Sequence, residues 1–367
     1  MTPANKLTVT NEVTPSKSFI VNRDDLILIT GANGFIGPRV LESLLNLGFC
    51  NLRCFVRPTS DLTKVDALVA LRSNDARIEV IRGNLLSVGD CIAATKAAAI
   101  VIHLAAGRGE KSFPDAFLNS VVTTRNLLQA TLAHQCLRRF VNVSSFSVYD
   151  NMARRESAVL DENCPLEEPA DRRGEAYCYA KVKQDLLVVD YGKRFSIPYV
   201  IIRPGYVYGP GKQAISGRVG IDTFGVFLHL GGSNTMPFTY VENCADAIAL
   251  AGVTRGVNGE VFNVVDDELL SSRRFLQLYK KNVRRFASLY VPHAVSYLMC
   301  WLWERYSAWS EDQLPPVFNR SRWYANWRTT CYSNEKLKAR LGWRPRVSTS
   351  AGLALFFEDC RQGASRA

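Results

Sequence analysis

Leu26-Ile27-Leu28-Ile29-Thr30-Gly31-Ala32-Asn33-Gly34-Phe35-Ile36-Gly37 is the stretch that decides the fold. An apolar run meets glycines at 31, 34 and 37, and the chain continues as a helix-like segment to about Gly48. A strand that turns sharply into a helix needs a residue without a Cβ at the turn, and an anion reaches the backbone only where no side chain intervenes. The helix N-terminus behind the turn offers free N–H groups and the positive end of its dipole. A glycine triplet alone is a weak signal. Between a strand and a helix, near the start of an α/β-patterned chain, it predicts a dinucleotide site built on Gly31, Asn33, Gly34, Phe35, Ile36 and Gly37.

Outward from this turn, short apolar runs alternate with helix-like stretches as far as residue 265. Strands are predicted over 26–30, 52–56, 78–81, 100–104, 140–144, 199–202 and 261–265, and helices over 115–133, 174–195 and 243–251. Continuous β-branched runs separated by helices indicate parallel strands buried on both faces. The expected fold is therefore a doubly wound α/β parallel sheet of the Rossmann kind, with a smaller helix-rich C-terminal substrate lobe. Residues 1–25 read as a polar flexible arm and lead-in. Residues 26–265 read as the dinucleotide-binding domain, with a substrate-lobe insertion at about 206–240, and 266–367 as the C-terminal lobe.

With 47% apolar residues, the 367-residue chain has ample material for a core. Its first 25 residues lack the continuous apolar segment of a secretory signal, and no apolar run is long enough to predict a membrane-spanning helix. Ten cysteines are scattered without a CxxC pair, so neither a metal site nor a disulfide framework is expected, and a reducing cytoplasm fits. Lys plus Arg outnumber Asp plus Glu by 45 to 34. That surplus suits nucleotide phosphates, an anionic substrate or an anionic membrane surface, or is merely a soluble basic surface; nucleic acid is not an expected partner. The aromatic segment 291–309 reads as a helix packed on the lobe or in a dimer interface, or as one lying in a membrane interface.

Several side chains fall at the predicted carboxyl edge of the sheet. Arg57 ends the second strand, twenty positions after Gly37. An acid near this point suits the ribose 2′-hydroxyl of NAD, whereas an arginine suits the 2′-phosphate of NADP, so NAD(P) is expected with a lean to NADP. Arg53 lies close in sequence, and Asp61 offers an acid that could turn inward for NAD. Asn84 and Leu85 follow the third strand, and Ala105 and Ala106 follow the fourth, where small residues let the backbone approach a cofactor. His103, a lone histidine at a strand end, reads as structural.

The pattern at 144–183 carries the chemistry. Ser144 and Ser145 end the fifth strand, and Tyr177 and Lys181 lie four apart on one face of a helix. A phenol is a poor base at neutral pH unless a neighbouring ammonium stabilises its phenolate. Tyr179 and Lys183 repeat the spacing, and Ser144 could exchange with Ser145; Ala180, directly before Lys181, favours the Tyr177 pair.

Together, GANGFIG (31–37), HLAA (103–106), SSFSVY (144–149), YCYAK (177–181), RPGYVYGPG (203–211), FTYVENCADAIALA (238–251) and LGWRP (341–345) resemble the extended short-chain dehydrogenases/reductases of the NAD-dependent epimerase/dehydratase type. The resemblance implies Tyr177 as general acid/base and as a contact of the cofactor, Lys181 as the residue that lowers its pKa and binds the nicotinamide ribose, and Ser145 as the substrate-positioning hydroxyl. It also implies backbone at Pro204 against the nicotinamide, Asn243 and Asp246 as anchors of the lobe, and a homodimer formed through helices near 115–135 and 175–195. Asn84 stands where the family often has Asp, and Asp150 where it usually has Gly. The expected activity is nucleotide-sugar epimerisation, ahead of dehydration because Phe146 and not an acid follows Ser145. The alternatives are a dehydrogenase of hydrophobic alcohols, as in the 3β-hydroxysteroid dehydrogenase branch, and a non-catalytic dinucleotide-sensing protein.

Overall fold

A computed structural model describes residues 19–107, 112–152, 159–223, 225–311, 313 and 318–364. Seven strands build the central sheet: β1 (Ile27–Thr30), β2 (Asn51–Val56), β3 (Arg77–Arg82), β4 (Ile100–His103), β5 (Arg139–Val143), β6 (Tyr199–Pro204) and β7 (Val261–Val264). All pair in parallel, in the spatial order β7-β6-β5-β4-β1-β2-β3. These are the seven strands read from the sequence. Ile27, Leu28 and Ile29 are wholly buried because helices cover both faces of the sheet.

The helices Gly37–Asn46 and Val241–Val253 share one face, where Val40, Leu41 and Leu44 join the same core as Ala245 and Ile248. Ser43 Oγ, donating to Asp246 Oδ1 at 2.6 Å, pins the pair together. Leu127 and Leu128 of the helix Thr123–Leu132 and Val188 of the helix Ala176–Phe195 fill the other face. The helix predicted over 115–133 is broken by a π-helical turn at Phe117–Val122, which places Ser120 carbonyl within reach of the Thr123 and Thr124 hydroxyls. Such a turn leaves no trace in apolar periodicity.

The lead-in to β1 is packed. Phe19 stacks obliquely on Phe49 with ring centroids 5.3 Å apart, and Ile20 N–H donates to Val253 O. Of the arm and lead-in expected over 1–25, residues 1–18 lie outside the described residues.

Beyond β6, the strand Tyr206–Tyr208 pairs with Phe238–Tyr240, and a three-stranded sheet joins Gly220–Thr223, Val226–His229 and Ser288–Tyr290. The helices His293–Trp309, Arg320–Asn326, Glu335–Leu341 and Thr349–Ala364 complete the C-terminal part. Asn243 fastens it to the sheet: its amide donates to Asp266 Oδ1 and Val347 O, and its carbonyl oxygens accept from Val347 N–H and Trp343 Nε1. Among the described residues, no helix is long and apolar enough to cross a membrane.

Candidate active site

The strands that follow β1 are laid down on one side of it as far as β3 and then on the other from β4, which leaves a crevice at the carboxyl ends of the strands beside β1. The glycine turn occupies that crevice. Gly31 adopts φ +70°, and a Cβ there would sit 2.9 Å from Ala105 N. A Cβ on Gly37 would lie 2.4 Å from Ala32 O, so only glycine lets the helix start against the turn. The helix Gly37–Asn46 begins without a side-chain cap; Pro38 has no N–H and Arg39 N–H donates to Ile36 O, which leaves Gly37 N–H for an anion. Asn33, Phe35 and Ile36 are half-buried around it, and Gly34 is exposed.

Arg57 projects into solvent just past β2, beside the turn closed by Ser60 N–H to Arg57 O. Arg53 and Asp61, its neighbours in sequence, are engaged elsewhere. Arg53 pairs with Glu79 at 2.7 Å and donates to the carbonyls of Ala94 and Lys96. Asp61 turns outward to accept from the amide and hydroxyl of Thr63, bonds that hold its carboxyl below the usual range. Asn84 also spends its side chain locally, its Oδ1 accepting from Leu86 N–H, while Asn126 donates to the carbonyls of Leu85 and Leu86. Ala105 and Ala106 lie half-buried past β4, and Pro204 is buried at the end of β6.

His103 is structural, as its strand-end position suggested. Nδ1 is 2.8 Å from Thr30 Oγ1 and Nε2 is 2.9 Å from Thr124 Oγ1. Because Thr124 already donates to Ser120 O, it accepts from His103 Nε2–H, which fixes the neutral tautomer. Burial, with the Lys181 ammonium adding to it, lowers the ring from 6.5 to about 3. The unfolded chain therefore binds a proton here that the fold refuses. Stability from the neutral ring is complete above 6.5 and falls by about 1.4 kcal/mol per pH unit on acidification. Urea titrations between about pH 7 and 5 should show a decline shallower by this slope in His103→Gln. Equal slopes in the two proteins would remove His103 from the acid response.

Ser144 and Ser145 part company at the end of β5. Ser144 is buried with its hydroxyl toward the Asp185 carboxylate, whereas Ser145 is half-buried and its Oγ accepts from Ser147 N–H. Phe146 turns inward to stack on Tyr332, so the side chain after Ser145 faces the core. The helix Ala176–Phe195 brings Lys181 beneath this strand end, where Nζ donates 2.8 Å to Val143 O. Tyr177, one turn earlier, is 44% exposed. The competing pair faces elsewhere: Tyr179 packs edge-on against Phe113 at 5.3 Å, with Lys183 Nζ over its ring. One helix thus brings Lys181 to the Ser145 strand end, leaves Tyr177 half-exposed one turn earlier, and packs Tyr179 against Phe113.

Two buried ion pairs behind the site escaped sequence reading. Asp185, one turn after Lys181, accepts from Arg203 Nε at 3.0 Å and from Asn142 Nδ2 at 2.9 Å. Burial pushes its carboxyl up while Arg203 opposes the shift. Arg203 also lies over the Tyr149 ring, whose hydroxyl donates to Asn263. Just before the helix, Arg173 pairs with Glu167 and donates to the carbonyls of Ser147 and Tyr149. Asp150, the departure noted in the sequence, caps its own turn through Met152 N–H and pairs with Arg172 at 2.9 Å. His229, Asn234 and Arg218 of the lobe bond to Ser272, Thr329 and Ala325 O respectively.

A parallel doubly wound sheet, with a glycine turn at its switch point and a Ser, Tyr, Lys set on the adjoining strand end and helix, defines the class of extended short-chain dehydrogenase/reductase folds. The model of the NAD dependent epimerase/dehydratase family matches residues 27–264, and the chain belongs to that family. Cinnamoyl-CoA reductase 1 of Oryza sativa subsp. japonica is 30% identical over 190 residues, which cover 51% of this chain and 55% of that protein. The chain thus spans little more than half the length of that relative. A protein named as an uncharacterized UDP-glucose epimerase of Bacillus subtilis is 27% identical over 289 residues, 74% of this chain and 86% of the other. Among solved structures, UDP-glucuronic acid 4-epimerase from Bacillus cereus, in complex with UDP-glucuronic acid and NAD, superposes with a TM-score of 0.67. The two are 24% identical, with 92% of this chain and 99% of that one covered, a likeness of fold.

Proposed function

We propose that the chain is an NAD(P)-dependent enzyme acting on a secondary alcohol or its ketone, a nucleotide-sugar epimerase in the first instance. What supports this reading is Lys181 Nζ donating to Val143 O at the strand end that carries Ser145, with Tyr177 one turn earlier on the same helix and the glycine turn on the same edge of the sheet. The backbone gap opened by Gly31 and Gly37 and the uncapped helix start fit a dinucleotide pyrophosphate. The bound nicotinamide supplies the hydride acceptor. Ser145 Oγ holds the substrate oxygen, Tyr177 takes its proton as the carbon is oxidised, and the Lys181 ammonium favours the phenolate that this requires. Once the ketone has turned its opposite face to the site, the same three groups return the proton, and the alcohol regained is the epimer. The buried ring of Phe146 leaves the position after Ser145 without an acid, which favours epimerisation over dehydration. The epimerases named among the relatives point the same way.

Arg57, exposed past β2 with Asp61 turned away, supports NADP over NAD. Arg57→Asp should weaken NADP by at least about tenfold while NAD changes little, read as dissociation constants by protein fluorescence. An equal loss for both dinucleotides would remove Arg57 from the choice. No disulfide joins any of the ten cysteines, in keeping with a reducing compartment. Leu118 and Leu186, exposed on the helices near 115–135 and 175–195, suit the homodimer face.

The aromatic exposed helix His293–Trp309 favours one second reading, a dehydrogenase of hydrophobic alcohols. Purified protein incubated with UDP- and GDP-sugars and with sterol alcohols separates the two. Epimerised sugar without net NAD(P)H supports the first reading; net reduction with sterols and none with sugars supports the second.

A further inference from the structure

The helix His293–Trp309 carries its apolar side outward. Val295, Leu298, Met299, Leu302, Tyr306 and Trp309 recur at the three- and four-residue spacing of one stripe. All are exposed, Leu298 and Leu302 by 52% and Trp309 by 78%. The opposite side of the helix, with Ser296, Cys300 and Ser307, packs inward, where Tyr297 meets Trp323 edge-on at 5.1 Å. The strand Ser288–Tyr290 leads into this helix and adds exposed Leu289 and Tyr290.

Charge accompanies the stripe. Residues 272–309 hold seven Lys or Arg and a single acid, Glu304, whose carboxylate is bound to Arg320 at 2.6 Å. The cations border the strand that continues into the stripe. Arg273 lies over the Tyr290 ring, Lys280 Nζ donates to Ser288 Oγ, and Arg284 lies over Phe286. An apolar face rimmed by Trp, Tyr and cations that have no acidic partner among the described residues matches the interface of an anionic bilayer, where rings sit at headgroup level and cations meet lipid phosphates. A second copy fits poorly, because a two-fold contact would set this cationic rim against itself.

We infer that the chain docks on anionic lipid through this face, with the helix lying in the plane of the interface and the Leu298–Leu302 stripe turned to the acyl region. Docking would also fix the candidate active site relative to the bilayer. Trp323 Nε1 donates to Ser296 Oγ on the docking helix, and the adjacent Arg322 pairs with Glu175 at 2.7 Å, two residues before Tyr177.

Flotation of the full chain with phosphatidylcholine vesicles, and with vesicles containing about a third phosphatidylglycerol, tests this without reference to activity. The expected result is capture by the anionic vesicles at least about tenfold above the neutral ones, weakened by salt. Brominated lipid should quench tryptophan emission in the same samples. Leu298→Asp/Leu302→Asp should abolish capture, and Arg284→Glu/Arg285→Glu should remove the anionic preference, with circular dichroism unchanged because all four side chains are exposed. Capture by neither vesicle overturns the inference. So does self-association in sedimentation equilibrium that Leu298→Asp/Leu302→Asp abolishes, since the stripe is then a contact between copies.

Discussion

Tyr177→Phe is expected to lower kcat by about 10²–10⁴-fold while the protein folds and binds dinucleotide as before. The change removes one hydroxyl from a side chain that is 44% exposed, so the expected stability change is within about 0.5 kcal/mol. On the proposed mechanism, what disappears is the group that exchanges a proton with the substrate oxygen. Tyr179→Phe serves as the control. Its ring contacts with Phe113 and Phe117 survive the substitution, and activity should stay within a few-fold of the unmodified chain. If Tyr179→Phe is the inactive variant and Tyr177→Phe is active, the reacting pair is Tyr179 with Lys183.

The largest loss of stability is expected at Glu167. Its carboxylate and the Arg173 guanidinium are 0% and 2% exposed and meet at 2.8 Å. Glu167→Ala leaves a buried guanidinium without its counter-charge and takes away the acceptor of the Ser321 hydroxyl. Breaking a buried pair by removing one partner costs about 3–5 kcal/mol. Replacing both partners with Leu and Met should not restore the fold fully, because Arg173 also satisfies the carbonyls of Ser147 and Tyr149. Urea unfolding followed by circular dichroism measures the difference. A loss below about 1 kcal/mol would mean that water reaches Arg173 in place of the carboxylate.

The sheet was legible because its inner strands are continuous apolar runs rich in β-branched residues, a pattern that parallel strands covered on both faces require; the edge strand Arg77–Arg82 does not share it. Ile27–Thr30 and Ile100–His103 show it most clearly. The lobe was less legible. Strands such as Gly220–Thr223 and Ser288–Tyr290 have three or four residues, too few for a period to mark them, and Ser288–Tyr290 takes its partner, Val226–His229, from distant sequence. Ser145, Tyr177 and Lys181 could be listed as candidates because spacing on a strand end and a helix face survives in one dimension. The choice between Ser145 and Ser144, and between Tyr177 and Tyr179, depends on which way each side chain turns. That is a property of packing against Asp185, Phe113 and Phe117. Arg173, Glu167 and Asp185 carried no signal, since charged residues in a loop or on a helix look like solvated surface until burial pairs them. Arg53 shows the converse: close to Arg57 in sequence, it points to Glu79 and away from the crevice.

Rapid mixing of the dinucleotide-loaded protein with a UDP-sugar, with nicotinamide absorbance and sugar products followed together, tests the central claim most directly. A transient rise in reduced cofactor that decays as the epimer appears, and that is absent in Tyr177→Phe, is the predicted result. An epimer formed at the same rate by Tyr177→Phe, or no reduced cofactor at any time while sugar is converted, would contradict it.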